Sequence, residues 1–159
     1  MPSGQIRPDV FSKRESAVEE KRIGQVAAVN GNMVAVNFQD RVMQNEVAYV
    51  NVGEERLKSE VIRVRGKRAD LQVFEDTAGV KVGDQVEFSD ELLSVELGPG
   101  LLKQICDGLQ NPLPELAKQH GFFLKRGAYF SALDYSALWE FTPAVPKGAK
   151  LQAGQKLGT

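Results

Sequence analysis

The sequence predicts a mainly β fold: a small closed six-stranded β-barrel, then a connecting helix, then the start of a further β-rich module. Three observations predict it. Between Ile23 and Val95, short apolar runs alternate with polar residues. Glycine-containing turn pairs separate those runs at short intervals. Leu101, Leu102, Ile105, Cys106 and Leu109 then switch to helical spacing. Several short strands at such intervals favour closure into a barrel, because closure removes the unpaired edges that invite aggregation.

Residues 1–20 hold Pro2, Gly4, Pro8 and a mixed-charge run from Lys13, the composition of a loose leader. The barrel is expected over residues 21–95. Residues 26–29 and 33–38 flank Asn30-Gly31, a pair suited to a tight, edge-like hairpin because both residues tolerate left-handed φ. Residues 46–51 form the next strand and Gly53-Glu54-Glu55 the next turn. Residues 57–65 should pair with 69–74 across Gly66-Lys67-Arg68. In the second of these, Ala69, Leu71 and Val73 alternate with Asp70 and Gln72, as in a half-buried strand. A Gly83-Asp84 turn leads into the closing strand.

Residues 96–120 read as a connecting helical segment. Pro99 suits a first helical turn, where its missing N–H is not needed. Asp107-Gly108 and Pro112 stop that helix, and residues 114–121 add a further turn or two ended by Gly121. At residues 121–159 the composition shifts and a further module starts. Phe122, Phe123, Tyr129, Phe130, Tyr135, Trp139 and Phe141 are seven of the twelve aromatic residues, so this segment must pack against something substantial. Residues 153–158 read as a turn running into a strand that has no partner before the sequence ends. The chain is therefore expected to be a fragment of a longer protein.

Composition excludes several classes. Twenty basic and 21 acidic residues leave a net charge of −1, which gives no support to a polyanion partner. Hydrophobic residues at 42% with 26% charged describe a globular chain. No run approaches the roughly 20 apolar residues that cross a bilayer, and residues 1–20 lack an apolar signal core. The single cysteine permits no intrachain disulfide, which fits a reducing cytosol.

A P-loop requires Gly-x-x-x-x-Gly-Lys-Ser/Thr so that backbone amides and a lysine hold phosphate. The sequence has none, and Gly98-Pro99-Gly100 lacks the amide at Pro99. His120 and Cys106 have no ligand-like spacing, so no metal site is expected. His120 suits a helix C-terminus and Cys106 a small core position on the apolar helix face. The paired acids Glu54-Glu55, Glu75-Asp76 and Asp90-Glu91 read as solvated turn charges. No catalytic, cofactor-binding or metal residue is assigned. The candidate sites are subunit contacts: Asn30 and Gly31, the basic cluster Arg63, Arg65, Lys67 and Arg68, and the aromatics Phe122, Phe123, Phe130, Trp139 and Phe141.

Word patterns add a family. Residues 97–102 (Leu-Gly-Pro-Gly-Leu-Leu) and 107–113 (Asp-Gly-Leu-Gln-Asn-Pro-Leu) resemble the end of the N-terminal barrel in the catalytic A subunit of V/A-type (vacuolar/archaeal-type) rotary ATPases. That family usually carries Phe at the position of Cys106, Ile at Leu109 and Arg at Asn111. Residues 52–57 and 77–84 resemble its Val-Gly-x-Glu-x-Leu and Thr-x-Gly-Leu-x-x-Gly-Asp segments. Arg126-Gly127, Leu133-Asp134 and Trp139-Glu140-Phe141 resemble the start of its bulge, or non-homologous, insertion.

The resemblance implies an N-terminal structural part of a subunit that couples ATP synthesis or hydrolysis to ion transport. Its barrel would join those of alternating B subunits in a hexameric crown, with central and peripheral stalks as further partners. ATP and magnesium would bind elsewhere in the intact subunit, and the chain would be cytoplasmic and membrane-associated only through the complex. Two other readings remain at this stage. Residues 145–158 resemble half of a biotinyl or lipoyl carrier hammerhead, though without a Met-Lys-Met or Asp-Lys-Ala tip. The basic hairpin suggests an oligonucleotide-binding barrel, though without interleaved aromatics.

Overall fold

Three hairpins with two-residue loops, each opening on a glycine, build most of the fold. A computed structural model describes residues 4–6, 22–121 and 125–159. Its elements are β1 (Gly4–Ile6), β2 (Arg22–Asn30), β3 (Met33–Phe38), β4 (Glu46–Val52), β5 (Glu55–Arg65), β6 (Arg68–Val73), β7 (Gln85–Leu92), α1 (Leu113–His120) and β8 (Trp139–Phe141). Strands β2-β3-β6-β5-β4-β7 close into a barrel in that order, and every neighbouring pair is antiparallel.

The loops are Gly31-Asn32, Gly53-Glu54 and Gly66-Lys67, with glycine φ of 59°, 61° and 58°. A left-handed first residue matches the loop to the right-handed twist of the strands. The first loop thus lies one residue later than expected, since Asn30 pairs with Met33 as the last residue of β2. Nor is that hairpin an edge, because β2 pairs with β3 on one side and β7 on the other.

Period-2 alternation turns Val34, Val36 and Phe38, Ala48 and Val50, Leu57 and Val61, Ala69, Leu71 and Val73, and Val86 and Phe88 inward. The Phe38 and Phe88 rings meet edge to face at 5.9 Å. Beside them, β2 passes so close that a Cβ on Gly24 would lie 2.6 Å from Val36 and 2.9 Å from the Asn37 carbonyl oxygen. Glycine at this position is a packing requirement.

The register sorts the loops between two mouths. Loops 31–32 and 53–54 and residues 74–84 gather at one; Val73 N donates to Asn32 O (2.8 Å) and Thr77 Oγ1 to Gly31 O (2.6 Å). Loop 66–67, residues 39–45, the start of β2 and the end of β7 gather at the other, where Phe38 N donates to Lys67 O (3.0 Å).

The chain divides into two compact units. The barrel unit also contains α1 and residues 125–130. Helix α1 has Glu115 in its first turn and Lys118 and His120 in its last, the charge order that its dipole favours. Gly121, at φ 70°, donates to Ala117 O (2.9 Å) and ends it. The only helix among the described residues is therefore α1. The helix expected over 101–109 does not form. Lys103 and Gln110 take φ of 72° and 66°. The Asp107 carboxylate accepts from Leu109 N, Asn111 N and Asn111 Nδ2 at 2.8–2.9 Å, offering the backbone a local alternative to helix. Leu102 and Ile105 are consequently 89% and 67% exposed, and Cys106 is half-buried in a bridge to Pro112.

The second unit comprises Glu96–Pro112 and Ser131–Thr159, with β1 paired antiparallel to β8. The leader expectation fails for Gly4–Ile6, because these three residues are a strand; the other residues of 1–20 lie outside those described. Gly98 and Gly100 are contact points here and not a helix start. A Cβ on Gly98 would meet Leu133 at 3.0 Å, and one on Gly100 (φ 90°) would meet Trp139 at 2.9 Å. Glu96 N donates to Gln110 Oε1 (2.7 Å), and Gln110 Nε2 to Glu96 O (2.6 Å). The strand expected to lack a partner has one: Thr159 N donates to Thr142 O (3.0 Å) and Ala144 N to Leu157 O (2.8 Å).

Candidate interface site

The sequence offers three candidate contacts, and two of them lie on the barrel. Asn30 and Gly31 are exposed at one mouth of the barrel. Arg63, Arg65, Lys67 and Arg68 are exposed at the opposite mouth. In that hairpin Arg63 faces Asp70, but Arg65 faces Arg68 directly across the ladder, a like-charge pairing that costs stability. Lys67 Nζ donates to the Gln39 carbonyl oxygen. The described members of the aromatic run fall in both compact units. Phe130 lies in the barrel unit, its ring 5.9 Å from that of His120. Trp139 and Phe141 are half-buried in the second unit, and Phe122 and Phe123 lie outside the described residues.

Two carboxylates read as solvated turn charges carry the best-organised polar site. Glu75 Oε1 accepts from Gly127 N (2.9 Å), and Glu75 Oε2 accepts from the Tyr129 hydroxyl (2.6 Å). Glu55 pairs with the Arg126 guanidinium, whose Nε lies 2.8 Å from Oε2. Arg126 Nη1 also donates to the carbonyl oxygens of Asp76 (3.0 Å) and Ala78 (2.5 Å).

The Tyr129 hydroxyl in turn accepts from Lys58 N (2.7 Å). The reason lies in the ladder. Strand β6 ends at Val73, opposite Ser59, and Phe74 N still reaches Lys58 O (3.1 Å). Beyond that point β5 keeps β4 on one side but has no strand on the β6 side, and the phenol oxygen satisfies the amide that β6 would have served. Burial first, then the hydrogen bond to Glu75, pushes the phenol pKa well above the ordinary tyrosine range, so Tyr129 stays a neutral donor. Beside this node, Tyr49, Arg56, His120, Lys125 and Phe130 line an open groove of about 720 Å³, with the Arg56 guanidinium 4.4 Å above the Tyr49 ring.

The other mouth has its own node. Glu46 is fully buried; it is paired with Arg22 and accepts from Met43 N (2.9 Å) and Asp90 N (2.7 Å). Arg22 also reaches Asp90 at 3.3 Å. None of these acids was singled out from the sequence as a site residue. Among the described residues, no group of three His, Cys, Asp or Glu is placed to hold a metal ion.

With the barrel and both nodes described, comparison with known proteins becomes decisive. Residues 26–90 match the model of the ATP synthase alpha/beta family, beta-barrel domain. Residues 26–90 are the β-barrel domain of that family. It is 60% identical over 139 residues to the V-type ATP synthase alpha chain of Treponema denticola, covering 87% of this chain and 24% of that one. It is 61% identical over 135 residues to V-type ATP synthase alpha chain 1 of Treponema pallidum, covering 85% and 23%. The alpha chain of Borreliella afzelii is 54% identical over 135 residues, covering 85% and 24%. The chain thus spans about a quarter of the length of the relatives it matches. The family match supports the ATPase resemblance over the carrier and oligonucleotide-binding readings. No helix among the described residues is long and apolar enough to cross a membrane.

Proposed function

We propose that this chain serves as the N-terminal assembly part of the catalytic A subunit, or alpha chain, of a rotary V-type ATP synthase. The observation that carries the reading is the 60% identity to a V-type alpha chain over 87% of the present sequence. In this reading the barrel sits in a crown alternating with the barrels of B subunits. Residues 121–159 begin the insertion that faces the peripheral stalk, and the central stalk turns within the assembly. The intact subunit would synthesise or hydrolyse ATP in step with ion transport, held at the membrane by the rest of the complex.

A closed barrel suits this task. Its cohesion lies in a continuous ladder and a buried apolar core, so it can take lateral force without an unpaired edge. The present sequence contains no P-loop, so ATP and magnesium are assigned to other parts of the intact subunit and no chemical step is routed through these residues. The exposed hairpin tips at Asn30-Gly31 and at Arg63, Arg65, Lys67 and Arg68 are the proposed subunit contacts, together with Phe122, Phe123, Phe130, Trp139 and Phe141.

The test is direct association. Mixed with a purified V-type ATP synthase beta chain, the 159-residue protein should sediment as a complex, and reversing Arg65 and Arg68 to Glu should weaken it. Failure to associate would sink the assembly role. Calorimetry should show no binding of ATP to this chain alone, and millimolar or tighter affinity would overturn the assignment of the nucleotide site elsewhere.

A further inference from the structure

We infer that residues 125–130 are a strap clamped across one mouth of the barrel, able to open while the barrel stays folded, with Glu75 as its release point. Three observations carry this. The strap's side-chain and backbone ties at Arg126, Gly127 and Tyr129 reach residues far earlier in the chain: Arg126 to Glu55, Asp76 and Ala78, Gly127 to Glu75, and Tyr129 to Glu75 and Lys58. None of residues 125–130 is buried, whereas the barrel beneath is held by buried Val, Leu, Ala and Phe side chains. The strap is therefore held mainly by polar contacts, with the Phe130 ring against His120, and such segments open locally, well below the free energy of global unfolding.

The third observation is the sharing of Glu75. One carboxylate accepts from both Gly127 N and Tyr129, and Tyr129 is the group that covers the Lys58 amide. Losing the Glu75 contacts thus loosens the strap at two positions and leaves the end of the β5 ladder open to water. Gly127, at φ 73°, lies against the Arg56 backbone, where an added Cβ would stand 3.6 Å from its N and O. This flat approach brings the Gly127 amide down to the carboxylate.

The strap immediately precedes Ser131, where the chain passes into the second unit. It therefore determines how firmly that connection is fastened to the barrel. In the rotary-ATPase reading proposed above, on which this last step alone rests, the strap is the joint between the crown barrel and the rest of the insertion.

Hydrogen exchange and limited trypsin digestion of the 159-residue chain and its Tyr129→Phe variant test the clamp. The expected result is that the Lys58 and Gly127 amides exchange at least tenfold faster in the variant. Trypsin should cut after Lys125 and Arg126 at least tenfold faster, while the Val36, Val50 and Leu71 amides keep their rates. Two results would overturn the inference: core amides accelerating in step with the strap, or unchanged rates at Lys58 and Gly127. Should Tyr129→Phe fail to fold, Glu75→Gln serves, with the same sites accelerating at least threefold and an unchanged pattern counting against the clamp. None of these readouts requires assembly with another subunit, so a failed association assay and a failed clamp are separately recognisable.

Discussion

At one mouth of the barrel Glu46 gathers Arg22, Met43 N and Asp90 N; at the other Glu75 gathers Gly127 N and Tyr129. The chemistry is the same, a carboxylate accepting several hydrogen bonds, but the surroundings differ. Glu46 is fully buried and its partners belong to the barrel's own strands and loops. Glu75 is half-buried, and its partners arrive 52 and 54 residues later in the chain. The first carboxylate closes the barrel on itself, and the second fastens a visiting segment to it. Substitutions at the two mouths should therefore fail in different ways.

The largest effect is expected at Glu46. Glu46→Ala leaves the Arg22 charge and two backbone amides without their shared acceptor, which should cost about 3–5 kcal/mol of barrel stability. Urea denaturation followed by circular dichroism measures it, and a loss below about 1 kcal/mol would remove the contrast between the mouths. Next comes Gly24→Ala, whose methyl group collides with Val36 and the Asn37 carbonyl. It should cost about 1–3 kcal/mol by overpacking and leave the trypsin rate at Lys125 and Arg126 unchanged.

A subtler test uses alkali. Because the folded environment raises the Tyr129 pKa, the clamp is complete below the unfolded phenol value of about 10. Stability is lost as pH rises above that value toward the higher folded one. An ultraviolet titration should show a late tyrosine ionisation, and Tyr129→Phe should remove that late phase. The smallest effect is a gain: Arg68→Glu turns the Arg65 cross-strand repulsion into attraction and should stabilise the barrel by about 0.2–1 kcal/mol. A fall in melting temperature would show that Arg68 is already compensated.

The barrel was legible because period-2 alternation and glycine loops are local signals. Strand β3 runs from Met33 to Phe38 as the spacing predicts, and β4, β5 and β6 differ from expectation only by a residue or two at their ends. The helix over 101–109 was misread because leucine spacing alone cannot report the left-handed backbone at Lys103 and Gln110. The side-chain cap at Asp107 was the better signal, and it stood next to Gly108. The strap could not be read at all. Glu55 and Glu75 look like any turn acids, and their partners lie 52 to 71 residues away, beyond any spacing rule. The Arg126-Gly127 pair was visible as a motif, but its purpose required the fold.

The chain also enters and leaves the barrel side by side: Arg22 pairs with Phe88, and Leu92, four residues further on, pairs with Glu46, which itself holds Arg22. The barrel is consequently a cassette with adjacent ends. A short glycine-serine bridge from Leu92 back to Arg22 would join them, and cutting the exposed Gly53-Glu54 loop would give a rearranged strand order with every rung of the ladder retained. Such a permutant would let the barrel be excised, tagged or transplanted as a single piece.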